Sequence, residues 1–310
     1  MIVSVCMITY NHEAYIEQAI TSILSQNTAF EYELVVANDC SKDNTHNIIK
    51  ALIKEHPKGS RIKYINHQTN VGMMKNFIGV LEACSGKYIA ICDGDDYWIH
   101  DDKLQMQVDF LDKNHNFSIV YTLNTIHYNT GEILDNPVKP INLKDAEVKD
   151  LVARNFIPAS SSMFRNKIKQ INFAQWIYSS PYGDWPLALL LTKNGEKIKC
   201  LQHKTLAYRK DVGVISQMKA KEMSLLEANY NMFSMILKDD NYNIIKPLIE
   251  YRLYRFELSL IKTYNKNRKY KAAYSKLGQL KKYTIDNKLS RLELIKLYVA
   301  SFYRGVIGNN

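Results

Sequence analysis

The chain has 310 residues, 46% hydrophobic and 23% charged, with a formal net charge of +10, enough for one large α/β domain plus an appended element. No apolar run approaches the roughly 20 residues a membrane-spanning helix needs, and Met1-Ile2-Val3-Ser4-Val5 lacks the basic start of a secretory signal. The five cysteines (Cys6, Cys40, Cys84, Cys92 and Cys200) form no Cys-x-x-Cys pair and have no His at zinc spacing, which points to buried thiols in a reducing compartment. The charge is unevenly placed. Lys219–Asn310 carries 18 Lys and Arg against 8 Asp and Glu, and the remainder is neutral. Such asymmetry directs attention to an anionic partner for the last third.

The first half alternates strand and helix signals, as expected for a parallel sheet with helices on its faces. Strand patterns cover Ile2–Ile8, Leu34–Ala37, Ile62–Ile65 and Tyr88–Cys92. Between them lie helices with apolar stripes at Ile16, Ile20, Ile23 and Leu24, at Ile48, Ile49, Leu52 and Ile53, and at Phe77, Ile78 and Leu81. Asn11 is the expected N-cap of the first helix and Ser41 or Asp43 of the second; Gly86 is the expected stop of the third. Phe117–Ile126 reads as a strand, Pro137 and Pro140 as a loop, Asp145–Asn155 as a helix, and Ser160–Phe164 as a short strand. A helix is expected over Asp184–Thr192, then strands over Ile198–Leu201 and Thr205–Arg209. From about Gln217 the signal is almost purely helical, with segments over 244–264, 267–283 and 291–303. The expected organisation is thus a domain over 1–216 and a basic α-helical region over 217–310.

The tetrad Asp93-Gly94-Asp95-Asp96 follows an apolar run at the carboxyl end of a buried strand. That end faces the crevice where open α/β sheets bind ligands. Clustered carboxylates repel one another and call for a hard cation such as Mg²⁺ or Mn²⁺, which commonly bridges to phosphates. The same acids would also suit a polar loop capping the next helix. Thr9, Tyr10 and Asn11 end the first strand and Asp39 ends the second, so both edges face the same crevice. Tyr10 can stack on a base, and Asp39 can accept a hydrogen bond from a ring N–H. Lys75 opens the third helix, where it can meet a phosphate or a base.

The order Val3–Asn11, Leu34–Thr45, Asn70–Asn76 and Asp93–Asp96 resembles the family 2 glycosyltransferases, inverting enzymes of the GT-A fold, over roughly the first 215 residues. The resemblance implies a Rossmann-like, mostly parallel sheet flanked by helices, and sugar transfer from a nucleotide sugar. It implies Asp95 as direct metal ligand, Asp93 near the ribose or the metal, Gly94 in the donor site, Mn²⁺ or Mg²⁺ as cofactor, and Asp39 as the base-recognition carboxylate. Asp96 coordinates the metal or caps the following helix. Inversion needs a base on the acceptor side, and the family places it at a helix start beyond the metal motif. Asp184 of Gly183-Asp184-Trp185-Pro186 occupies that place, and the same residue is a natural helix N-cap. Trp185 offers a platform for acceptor or donor sugar. Tyr208-Arg209-Lys210-Asp211 resembles the family's closing segment, with Asp211 where His is frequent and Arg209 or Lys210 as the positive charge for the diphosphate.

The expected function is metal-dependent inverting transfer from a UDP-sugar to a saccharide or lipid-linked glycan in surface polysaccharide synthesis. The expected place is the cytoplasm, with peripheral attachment of the basic tail to an anionic membrane surface. No nucleic-acid partner is expected, since the basic region carries no such motif. A nucleotidyltransferase or dinucleotide enzyme needs a glycine-rich loop, and no glycine precedes Gly59. An inactive assembly relative is the remaining alternative, opposed by the joint presence of Asp39, Asp93, Asp95 and Asp184.

Overall fold

A computed structural model describes residues 1–136, 145–210, 212, 222–284 and 296. The Pro137/Pro140 loop, Asp211 and, apart from Lys296, the expected 291–303 helix lie outside the described residues. The chain forms two compact units, Met1–Ser216 and Gln217–Asn310.

The first unit is α/β, and its elements run β1 (Val3–Thr9), α1 (Ile16–Leu24), β2 (Tyr32–Asn38), α2 (Thr45–Glu55), β3 (Ile62–Asn66), α3 (Met73–Ala83), β4 (Tyr88–Ile91), β5 (Tyr97–Trp98), α4 (Lys103–Lys113), β6 (Phe117–His127), β7 (Ile133–Asp135), α5 (Val148–Ala153), β8 (Met163–Arg165), α6 (Asp184–Thr192) and β9 (Lys197–Arg209). The sheet order is β3-β2-β1-β4-β8-β6-β9-β5, with β7 on β6. β3, β2, β1 and β4 are parallel neighbours. Beyond β4 the sheet is mixed: β8 is antiparallel to both β4 and β6, while β6 and β9 run parallel.

The parallel half is buried on both faces, which explains the near-continuous apolar runs of β1, β2 and β4. Its core includes Val5, Met7, Leu34, Val36, Tyr88 and Ala90, with Ile16, Ile20, Ile23 and Leu24 of α1 packed against them. The parallel register puts the carboxyl ends of β1, β2 and β4 on one edge. α6 is apolar on all sides and buried from Trp185 to Thr192, as a helix enclosed by its own domain must be.

Several local expectations are corrected. Asn11 does not cap α1, which begins five residues later; it adopts φ +56° and accepts from the Lys42 amide (2.8 Å), while its own N–H donates to Ser41 Oγ (2.9 Å). Asn44, not Ser41 or Asp43, precedes α2, although Asp43 accepts from the Thr45 amide (3.1 Å). Gly86 is no helix stop, since α3 ends at Ala83. A Cβ on Gly86 would lie 2.5 Å from Ser4 N, so glycine is required there for close backbone approach. The two short strands expected over 198–209 are one, β9. Exposed Gln202, His203 and Lys204 interrupt its apolar pattern, but pairing with β6 continues across a bulge near Leu123.

The second unit contains α7 (Glu222–Ile236), α8 (Lys246–Lys266) and α9 (Tyr270–Thr284). Phe233 and Phe256 pack at 5.4 Å, and Ile261, Ala273 and Leu277 join α8 to α9. Buried Glu257 accepts from Tyr230 (3.0 Å), which ties α7 to α8. Among the described residues, no helix is long and apolar enough to cross a membrane.

Candidate active site

The acidic turn sits directly past β4. Gly94 donates to the carbonyl of Ile8 (3.0 Å) and Asp96 to that of Asp93 (3.1 Å). These bonds fold the turn back over the end of β1. A Cβ at Gly94 would fall 2.9 Å from Thr9 Oγ1 and His12 Nδ1, so only glycine lets the turn lie this close. One carboxylate oxygen from each of Asp93, Asp95 and Asp96 falls within 4.8 Å of the others. Burial, then the charges of Asp95 and Asp184, pushes the Asp93 carboxyl up to about 7. Burial, with Asp95 and Asp93 beside it, drives Asp96 well above the usual carboxylate range. Three carboxylates that converge this closely repel one another and fit a divalent cation, which would remove that repulsion.

The turn is held from two sides. Ser160 Oγ accepts from the Asp93 amide (3.2 Å). Ser160 is itself fixed because Trp98 Nε1 donates to its carbonyl (2.8 Å), while buried Gln107 donates to the carbonyl of Ser161 (2.9 Å). On the other side, Arg209 donates through its main chain to Asp96 Oδ1 (3.0 Å) and through its guanidinium to the Asp95 carbonyl (2.7 Å). That guanidinium also donates to Gln18 and lies between the rings of Tyr15 (4.9 Å) and Tyr97 (4.6 Å). Arg209 therefore stands beside the acids, and its bonds in this structure clamp the turn.

Asp184 opens α6 and accepts from Asn155 Nδ2 (2.9 Å). Burial raises its pKa, and the Asn155 bond opposes the rise. Its charge acts on Asp93, so the fold brings together two acids 91 residues apart in the chain. Trp185 is corrected: it is 5% exposed and its indole N–H donates to the Leu151 carbonyl (2.8 Å), so it packs α6 onto α5 and offers no face to a sugar. Its place after Asp184 turns it toward the protein interior, which the local sequence does not reveal.

Asp39 forms a second cluster at the end of β2. It is 3% exposed, and its two oxygens accept from the amides of Val71 (2.7 Å) and Gly72 (3.0 Å). It thereby fastens the loop that leads into α3, on whose first turn Lys75 is exposed. Tyr10 is 43% exposed. Thr9 is buried, and among the described residues its hydroxyl has no hydrogen-bond partner.

Four residues of this region were not singled out from sequence: His12, Gln18, Asn155 and Ser160. Burial holds the His12 imidazole below its ordinary value, against the pull of Asp95 and Asp43. The placement of His12 right after Thr9-Tyr10-Asn11 was a usable signal. Asn155 lies in irregular chain and Ser160 in a single 3-10 turn, Ala159–Ser161, and both acquire meaning only through contact.

Among solved structures, Staphylococcus aureus TarS 1-349 in complex with UDP superposes with a TM-score of 0.66 at 18% identity, over 97% of this chain and 87% of that one. The mannosyltransferase PcManGT from Pyrobaculum calidifontis, in complex with GDP-Man and Mn²⁺, gives 0.62 at 15% identity, over 99% and 88%. Both likenesses concern the fold. Among curated relatives, the Escherichia coli UDP-Glc:α-D-GlcNAc-diphosphoundecaprenol β-1,3-glucosyltransferase WfgD is 38% identical over 120 residues, 39% of this chain and 44% of that protein. The matched region spans about half the length or less of such relatives. The model of Glycosyl transferase family 2 matches residues 4–171, more than half of the chain and all of the acidic turn. The fold, the acidic turn past β4 and this match lead to one conclusion: the chain belongs to glycosyl transferase family 2.

Proposed function

We propose that the protein transfers a sugar with inversion from a UDP-sugar to a hydroxyl of a lipid-linked glycan, at the cytoplasmic face of a membrane, during surface polysaccharide synthesis. The observation that carries the proposal is the convergence of Asp93, Asp95 and Asp96 within 4.8 Å, with the charge of Asp184 felt at Asp93. Asp95 and Asp93 hold Mn²⁺ or Mg²⁺, with Asp96 as a further acid beside them. The bound cation supplies positive charge to the diphosphate leaving group.

Thr9, Tyr10 and Asn11 line the nucleoside side, with Tyr10 presenting an accessible ring. Asp39 receives a pyrimidine N–H on an oxygen it already shares with Val71 or Gly72, and Lys75 meets the nucleotide from α3. Gly94 lets the acidic turn of the donor site lie against Thr9, and Arg209 adds positive charge near the diphosphate. Asp184 takes the proton of the acceptor hydroxyl as that oxygen attacks the anomeric carbon. Its raised pKa suits a base, and Asn155 holds one of its oxygens so that the other is directed to the acceptor. The uracil preference is supported by the UDP in the name of WfgD and by the UDP bound to TarS. The acceptor class is supported by the diphosphoundecaprenol in the name of WfgD.

Mn²⁺-dependent hydrolysis of labelled UDP-sugar, with UDP, dTDP and GDP as competitors, tests the reading. UDP is expected to compete best, and Asp95→Ala is expected to remove the metal dependence while keeping the fold by circular dichroism. Stronger competition by GDP would overturn the base assignment. Full metal-dependent turnover by Asp95→Ala would overturn the metal site.

A further inference from the structure

α8 separates two faces cleanly. Ile249, Leu253, Phe256, Leu260 and Ile261 are buried. Opposite them, Tyr251, Arg255, Lys262 and Lys266 are exposed. At 3.6 residues per turn these four fall within about 60° of one another, in a stripe about 22 Å long. Between Lys246 and Leu277 the exposed charges are seven Lys and Arg and no Asp or Glu. Of the two acids of that span, Glu257 is buried and Glu250 is half-buried. Apolar and aromatic groups accompany the charge, with Ile244 63%, Tyr251 47% and Tyr274 40% exposed.

We propose that this stripe of α8, with the start of α9, docks on an anionic phospholipid bilayer. A one-signed surface free of acids complements phosphate headgroups, and each Lys or Arg near such a surface adds to the attraction. The exposed Ile and Tyr groups suit the boundary between headgroup and acyl chain, and a soluble polyanion gives them no apolar layer to enter. Binding is peripheral and salt-sensitive, since exposed charges are screened beyond about 8 Å at physiological ionic strength. The proposal extends the reading of a lipid-linked acceptor and rests on it only for its purpose. The chemistry of attachment is independent of donor and metal.

The test is co-sedimentation of the full chain with phosphatidylcholine vesicles, with and without phosphatidylglycerol, at low and high salt. A second arm uses Arg255→Glu/Lys262→Glu/Lys266→Glu, and a third the milder Arg255→Gln/Lys262→Gln/Lys266→Gln, each checked for helix content by circular dichroism. The wild-type chain is expected to sediment with anionic vesicles at low salt only. Charge reversal should lower that partition at least about tenfold and neutralisation by a smaller factor. Hydrolysis of UDP-sugar should be unchanged in both variants. Equal binding to neutral vesicles, no binding at low salt, or unaltered binding by folded variants would overturn the proposal. So would binding to soluble polyphosphate without binding to vesicles. Absence of UDP-sugar hydrolysis in all three proteins would instead count against the enzymatic reading, leaving the vesicle result to stand by itself.

Discussion

The ends of β2 and β4 place an aspartate at the same edge of the same parallel sheet, in opposite circumstances. Asp39 closes β2 with both oxygens occupied by the amides of Val71 and Gly72. Asp93, past β4, faces Asp95 and Asp184, and the combination of burial and like charge drives its carboxyl up to about 7. One end is electrostatically satisfied and fastens a loop. The other holds repulsion that only a proton or a cation relieves. A carboxylate at the carboxyl end of a strand thus has no fixed role. Its neighbours decide whether backbone amides already balance its charge or a proton or cation must.

The sharpest way to break this contrast is at the third acid, Asp184. Asp184→Asn can still accept from Asn155, so stability should change little, while loss of the base should slow transfer by roughly 10²–10⁴. Steady-state rates with donor titration check this. Normal turnover, or a defect mainly in donor affinity, would remove Asp184 from the base role.

At the satisfied end, Asp39→Asn replaces an acceptor by an amide N–H facing two backbone donors. It should destabilise the metal-free protein by about 1–3 kcal/mol, read from urea denaturation. An unchanged midpoint would show that the loop before α3 is held by other contacts.

The smallest effect is expected at the repelled end, and with the opposite sign. Asp93→Asn should raise the melting temperature of the metal-free protein, more at pH 8 than at pH 5. The sign follows from proton linkage. The folded carboxyl titrates near 7, above its unfolded value near 4, so between those values the folded state binds more protons. Wild-type stability therefore falls as pH rises through that window. For the same reason Mn²⁺ affinity, measured by calorimetry without donor, should rise with pH up to about 7 and then level. A pH-independent affinity would detach Asp93 from the metal site.

The α/β class, the positions of the first four strands and the acidic turn were legible in the chain. Buried parallel strands must be apolar throughout, and the helices between them must carry one apolar stripe, so each leaves a local pattern. The second half of the sheet was less legible. β5 is two residues long, β8 three, and β9 carries an exposed polar stretch at its bulge. Their pairing comes from partners far away in sequence and leaves little periodic trace. Asn11 and Gly86 show the same limit, since a cap or stop signal is local while their actual contacts are to Lys42 and Ser4.

By itself the sequence determined which residues carry charge, which runs must be buried, and that a cluster of acids follows a buried strand. It also determined that the positive excess lies in the last third. Tertiary structure decided which acids meet, because Asp184 reaches Asp93 only when α6 packs beside the sheet. It decided that Trp185 packs inward, that Arg209 and Ser160 grip the acidic turn, and that the cations of α8 share one face. The physical reason is common to all of these. Burial and periodicity act over a few neighbouring residues and are written in the local pattern. Electrostatic coupling and hydrogen bonding depend on distances that exist only after distant segments have packed.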